Sequence, residues 1–248
     1  RLTLRVAAVT PEIRVTSRQV ISLGDDRLVL AADLDVTIAR AGVFRLGLTV
    51  PAGLELESAS SPVLSHWTET VDASGTRQIT LHLREKTMGD HRFSLTLAGA
   101  APRAQPAWVV PRIVVREAAR QSGDLRLVPE RGLRLRVGAR QQVSPIDPRT
   151  LGPVQSGVLA FRLLQEAWSL TLAVEALEPW LTTQVLQEMT LRDGQSLVRG
   201  RVRLRVENAG VKQLRLRLLG LRDDQIASLR LSGPLVADSV RRSDDPEV

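Results

Sequence analysis

The chain is 248 residues long, 43% hydrophobic and 25% charged, with a formal net charge of +7. That length holds one large domain or two to three small ones, and that balance excludes disorder as the default. The lack of cysteine excludes disulfides, thiolate metal sites and cysteine nucleophiles, and no apolar run reaches the ~18 residues of a membrane-spanning helix.

Nearly all the basic charge is arginine, with Lys86 and Lys212 the only lysines. Coding bias in a GC-rich genome explains this more simply than selection for a polyanion. Tyr is absent, and four Trp and three Phe leave few rings for the stacking surfaces that carbohydrates and nucleic acids need. No nucleic-acid partner is expected.

Period-2 alternation runs from end to end, the signature of strands with one buried face. Leu28, Leu30, Leu34, Val36 and Ile38 share one parity, Ala41-Gly42 signals a turn, and Leu46, Leu48 and Val50 resume. Ile79, Leu81 and Leu83 lead into Met88-Gly89-Asp90, and Phe93, Leu95 and Leu97 return, which predicts a hairpin. The Ala/Pro-rich stretch 99–107 reads as a linker. Only residues 116–121 offer a short helical pattern. Leu133, Leu135 and Val137 alternate with Arg134 and Arg136, residues 145–153 read as an ordered loop, and Trp168 has the parity of a core residue. Thirteen prolines and seventeen glycines punctuate these runs, so the predicted class is all-β, with antiparallel, immunoglobulin-like sandwich modules.

Residues 2–50 recur without a gap at 170–218, an offset of 168. Leu2, Thr3 and Leu4 meet Leu170, Thr171 and Leu172; Pro11 meets Pro179; Asp25 meets Asp193; Ala41-Gly42-Val43 meets Ala209-Gly210-Val211. Alternation alone does not reproduce the Pro, the turn Asp and the Ala-Gly-Val signal together, so the chain contains an internal duplication. A period of 168 exceeds that of solenoids and propellers and fits sandwich-sized modules in tandem. The predicted division is 1–10 as the last strand of a preceding module, 11–105 as a sandwich, 106–178 as a smaller β module and 179–248 as a truncated copy of the sandwich. The chain therefore reads as a segment of a larger protein.

Pro145-Ile146-Asp147-Pro148, followed by Leu159-Ala160-Phe161-Arg162 and Trp168-Ser169-Leu170-Thr171-Leu172, resembles large β-rich repeat proteins of the envelopes of GC-rich Gram-negative bacteria. The likeness covers residues 106–218. It implies an extracytoplasmic location, periplasm or cell surface, and carries no chemistry.

Catalytic signatures are missing. There is no G-x-S-x-G elbow, no phosphate cradle and no dinucleotide fingerprint, and the histidines are His66, His82 and His91. His82 and His91 flank the predicted hairpin and would face each other if its turn centred on residues 86–87. Asp90 or Glu85 would then complete a metal site, but no ligand spacing supports one, and exposed histidines are the simpler reading. Asp25-Asp26, Asp223-Asp224 and Asp244-Asp245 lack calcium-loop spacing and read as turn residues. Calcium between modules stays open on this pattern. No cofactor is called for.

The candidate interaction face is basic. Arg199, Arg201, Arg203 and Arg205 alternate with Val198, Val202, Leu204 and Val206, while Arg215 and Arg217 alternate with Leu214, Leu216 and Leu218. A turn at 207–210 would set Arg203 opposite Arg215 and Arg201 opposite Arg217, like charges that a ladder disfavours. In the first copy Arg201 and Arg203 become Asp33 and Asp35. The expected function is a non-enzymatic spacer, scaffold or adhesive stalk. Its partners would be neighbouring modules, an anionic envelope polymer or another protein. The alternative is a module binding carbohydrate or an anionic polymer, which exposure of Trp67, Trp108 or Trp180 would favour.

Overall fold

A computed structural model describes residues 9–102, 104–153, 155–216, 225, 228–234 and 236–237. The chain is all-β. It divides into two compact units, 1–180 and 181–248, each described by itself.

The first unit opens with β1 (Glu12–Leu23) and β2 (Arg27–Val50), followed by β3 (Leu54–Ser60), β4 (Leu64–Val71) and β5 (Arg77–Ala100). Next come β6 (Trp108–Val109), β7 (Val114–Val115), β8 (Ala118–Pro129), β9 (Leu133–Gln141), β10 (Val143–Pro145), β11 (Leu159–Leu163) and β12 (Ser169–Ala176). Residues 116–121 form a turn and the start of β8 rather than a helix. The loop after β10 is ordered by a 3-10 turn at Pro148–Leu151, which the Asp147 carboxylate caps by accepting from the Arg149 amide.

Nine strands share one sheet, whose main path runs β10-β11-β8-β1-β2-β5-β3, with β4 on β5 and β7 on β2. A smaller sheet is ordered β6-β12-β9. Alternation explains which face turns inward. Ile13, Val15, Ile21 and Leu23 of β1 are buried with Leu28, Leu30, Leu34, Val36 and Ile38 of β2, and each such side chain is worth about 1.5–3 kcal/mol on leaving water.

Two expected reversals turn out to be bends in continuing strands. At Ala41-Gly42 β2 does not turn back: Arg40 takes φ 67°, the register with β5 slips between Ile38 and Val43, and slips again before Arg45. At Met88-Gly89-Asp90 β5 likewise continues, with Gly89 at φ 94°. The predicted 79–97 hairpin is therefore one strand. It pairs with β2 on one edge and with β3 and β4 on the other. β2 runs beside both halves of β5, and a reversal would take one half from its partner, so the turn residues are spent as bulges. Both halves of β2 and of β5 keep one parity inward, which lets Leu46, Leu48, Ile79 and Leu81 join the same core as Leu30 and Phe93.

The boundary expected at 105/106 does not divide the chain. β8 lies parallel to β1 from Ile13↔Ala118 to Leu23↔Pro129, and β11 pairs with β8. Leu125, Leu127, Phe161, Leu170 and Val174 belong to one hydrophobic cluster with Ile13 and Leu30. The unit is thus larger than a seven-stranded sandwich over 11–105. Glycine makes the junction possible: a Cβ at Gly123 would stand 2.0 Å from the Ser17 carbonyl oxygen, so the strands meet at this distance only without a side chain. Beside it the buried Gln19 amide donates to the Ser17 hydroxyl, 3.1 Å away. Gln121 donates to the Ile113 carbonyl (2.8 Å) and accepts from the Val115 amide (2.9 Å), fastening the β7 segment to β8.

The stretch 99–107 is not a free linker either. Gly99 and Ala100 close β5, the Ala101 amide bonds the Asp26 carbonyl, and the Val174 amide bonds the Gln105 carbonyl.

The second unit carries one hairpin, β13 (Trp180–Arg192) and β14 (Gln195–Glu207). Asp193-Gly194 makes its two-residue turn, with Gly194 at φ 75°. Both strands are exposed along nearly their whole length. Among the described residues no helix is long and apolar enough to cross a membrane. The strand expected at 1–10 falls almost wholly outside the described residues.

Candidate interaction faces

β14 presents Arg199, Arg201, Arg203 and Arg205 on one parity, all exposed. Arg205 pairs with Glu207 at 2.7 Å. Arg199, Arg201 and Arg203 make no ion pair with a described carboxylate. The predicted ladder with 211–218 is not formed among the described residues: Arg215 lies past the end of β14 in no strand, and Arg217 is outside the described residues. Asn208 takes φ 69° just past β14, and residues 208–216 form no strand.

The residues 168 positions earlier are placed differently. Asp33 and Asp35 lie on the outer face of β2, where neighbouring strands answer them. The Arg92 guanidinium donates to Asp35 at 2.7 Å, and the Ser94 hydroxyl donates to Asp33 at 2.6 Å. Hydrogen bonding and charge from Asp35 hold the Arg92 pKa above its ordinary value. Arg18 is the cross-strand partner of Asp33 on β1. These aspartates are internal to the sheet's own polar face.

An open cleft of about 490 Å³ is lined by Asp26, Arg27, Glu55, Glu57 and Arg77 with Gly53 and Gly99. Its guanidiniums are paired within it. Arg27 bonds Glu57, and Arg77 bonds both Glu69 and Glu55. Glu69 is the main reason the Arg77 pKa is raised. Such a cleft offers a ligand little unsatisfied charge.

Of the tryptophans, Trp168 is buried, Trp108 is partly covered, and Trp67 and Trp180 are 38% and 65% exposed. The expected His82–His91 facing pair does not exist, because both lie on the one strand β5. His91 donates instead to the Met88 carbonyl at 2.9 Å. Among the described residues no group of three or more His, Cys, Asp or Glu could hold a metal ion. Asp223-Asp224 and Asp244-Asp245 lie outside the described residues.

A different histidine pair does form. His66 of β4 sits across from His82 of β5, with ring centroids 4.5 Å apart and ring planes within 6°. The signal was in the sequence: the two are equidistant from Ser74, and Asp72-Ala73-Ser74-Gly75-Thr76 is a turn in which Asp72 accepts from the Ser74 hydroxyl and from the Ser74 and Thr76 amides.

No protein-family model and no curated protein sequence matches the chain. Among solved structures it is similar to an M1 zinc metallopeptidase from Deinococcus radiodurans, at 12% identity and a TM-score of 0.39, over 77% of this chain and 47% of that one. It is similar also to leukotriene A4 hydrolase from Saccharomyces cerevisiae, at 6% identity and a TM-score of 0.42, over 70% of this chain and 30% of that one. The chain spans about half or less of these structures, and likeness at this level carries neither fold nor activity across.

Proposed function

We propose that the chain is a non-enzymatic structural segment of a larger extracytoplasmic protein: a spacer, scaffold or adhesive stalk made of sandwich-like β modules with a period of 168 residues. The β13–β14 hairpin carries this reading. Shifted by 168, Trp180 at the start of β13 falls on Glu12 at the start of β1, and Gln195 at the start of β14 falls on Arg27 at the start of β2. The backbone irregularity repeats as well, with Arg40 at φ 67° and Asn208 at φ 69°. Gln187 stands where the buried Gln19 does. Ile13, Ile21, Leu23, Leu30, Leu34 and Ile38 are core, whereas their counterparts Leu181, Met189, Leu191, Val198, Val202 and Val206 are exposed. A face that is core in one copy and bare in the next suits a surface that further strands cover, and bare apolar faces of this kind drive association.

A second reading has its own observation. Arg199, Arg201 and Arg203 make no ion pair with a described carboxylate, while Asp33 and Asp35 are satisfied. This favours an anionic polymer on the polar face of β14.

Sedimentation velocity of the whole chain tests the first reading. It expects concentration-dependent association that Met189→Asp with Val202→Asp weakens by about ten-fold or more, since each apolar side chain contributes more than the ~1.4 kcal/mol that tenfold represents. Retention on a polyphosphate or heparin matrix tests the second, with loss in Arg201→Asp/Arg203→Asp at low salt. A wild-type chain that stays monomeric overturns the first reading, and one that ignores the matrix overturns the second.

A further inference from the structure

We propose that His66 and His82 form a two-ligand site for a divalent transition-metal ion, Cu²⁺ foremost. The inference stands on the β4–β5 hairpin alone and does not rest on the proposed function.

The geometry begins with a bulge. Leu64 pairs with Leu83 but His66 pairs with His82, so Ser65 is the extra residue on β4. A bulge re-aims the side chains beside it. Here it brings the Ser65 hydroxyl to 3.2 Å from His66 Nδ1. On the other ring the Thr68 hydroxyl lies 3.0 Å from His82 Nε2. Each imidazole thus has one nitrogen held by a hydroxyl. With those hydroxyls accepting, His66 Nε2 and His82 Nδ1 carry the lone pairs. Orientation of a ligating imidazole through its other nitrogen is the ordinary outer support of a histidine metal site.

The rings lie side by side, 4.5 Å apart, and turning them out of the stack, so that the ion lies in the plane of each ring, brings two ring nitrogens within ~2.0–2.1 Å of it. Donors that are all imidazole select copper, zinc or nickel over calcium or magnesium, and copper binds most tightly in that series. Two protein ligands leave the remaining positions to water or to a donor from another molecule. No carboxylate competes for the site from the paired positions. Arg45 is the partner of His82 on β2, Thr80 and Arg84 flank His82 on the same face of β5, and Arg84 donates to the Leu64 carbonyl. The nearby guanidinium limits affinity.

The test uses the whole chain and CuCl₂ in a glycine-buffered titration, followed by calorimetry and electron paramagnetic resonance. One equivalent of Cu²⁺ per chain is expected, with hyperfine structure from two imidazole nitrogens. His66→Ala and His82→Ala should each weaken binding about ten-fold or more, and His91→Ala should leave it unchanged. His66→Gln and His82→Asn keep polar side chains on the exposed face. With unaltered circular dichroism they should lose the Cu²⁺-dependent rise in Tm that the wild type shows. Equal Cu²⁺ affinity in a folded double variant overturns the site. So does a wild-type chain that takes up no Cu²⁺ at ~100 µM.

Discussion

Phe161→Ala is the sharpest test of whether residues 11–105 and 106–178 are one body. Phe161 sits on β11, opposite Leu125 of β8, and is 2% exposed. It shares its core with Ile13, Leu30 and Phe93 from the other half of the unit. A buried Phe covers ~150–250 Å², which at about 25 cal/mol per Å² sets an upper bound of ~4–6 kcal/mol. Truncations of this kind cost about 3–5 kcal/mol once the residual cavity is included.

For a unit of this size each kcal/mol moves Tm by about 2–4 °C, so the variant should melt roughly 6–20 °C lower. Hydrogen exchange in mild denaturant is the assay. Amides of β2 and β5, far along the chain from the mutation, should lose protection by the same free energy as amides of β8 and β11. The buried Trp168 should report the same midpoint by fluorescence. Unchanged protection in β2 and β5 beside weakened β8–β12 would refute the single core and restore the boundary at 105/106.

Two further substitutions probe the joints. Gly123→Ala places a Cβ 2.0 Å from the Ser17 carbonyl oxygen and should cost about 1–3 kcal/mol or more in urea denaturation; Gly200→Ala, with nothing within 4 Å, should stay within about 0.5 kcal/mol. Asp72→Asn tests the turn that faces His66 to His82. Hydrogen bonds, that from the Ser74 hydroxyl foremost, lower the Asp72 pKa below its ordinary 3.8. Its contribution is therefore present above that value and lost as pH falls through the lower, folded one. The variant should be less stable than wild type at pH 7, with the gap closing below about pH 3.8; a constant gap across a pH series of thermal melts would refute the attribution.

Alternation made the core legible. The inward parity of Leu28 to Ile38, of Ile79 to Leu83 and of Phe93 to Leu97 is the buried parity, and Trp168 is core. What alternation cannot carry is the identity of a strand's neighbour. Ala41-Gly42 and Met88-Gly89-Asp90 offer the same local chemistry to a reversal and to a bulge, and only the pairing of β2 with β5 on both sides of the bends decides between them. The parallel contact of β1 with β8 joins residues 105 positions apart at Ser17 and Ser122, for which no local pattern exists. Composition misled at 99–107, where an Ala/Pro-rich run reads as a linker but its backbone groups are spent on Asp26 and Val174. The histidine pair was missed for the same reason as the strands: a turn placed near residue 88 hid the one at residues 72–76.

If the proposed repeat holds, the charge reversal at an offset of 168 gains a meaning from the pairing of β2 with β5. In the first unit Asp35 is opposite Arg92, and Asp33 is opposite Ser94. On the repeat reading, β14 has the backbone and the apolar face to take the place of β2 beside β5, which is the swap that tandem copies risk. Arg203 would then stand against Arg92, and like charges directly across a ladder repel. On that reading the Asp-to-Arg change would keep each copy's strands with their own partners. It further requires that the strand which joins β14 answer Arg203 with an acidic residue. Restoring the first-copy charge with Arg203→Asp should remove the barrier and raise the fraction of swapped dimer after refolding at high concentration, measured by light scattering. An unchanged dimer fraction would show that charge does not keep these strands apart.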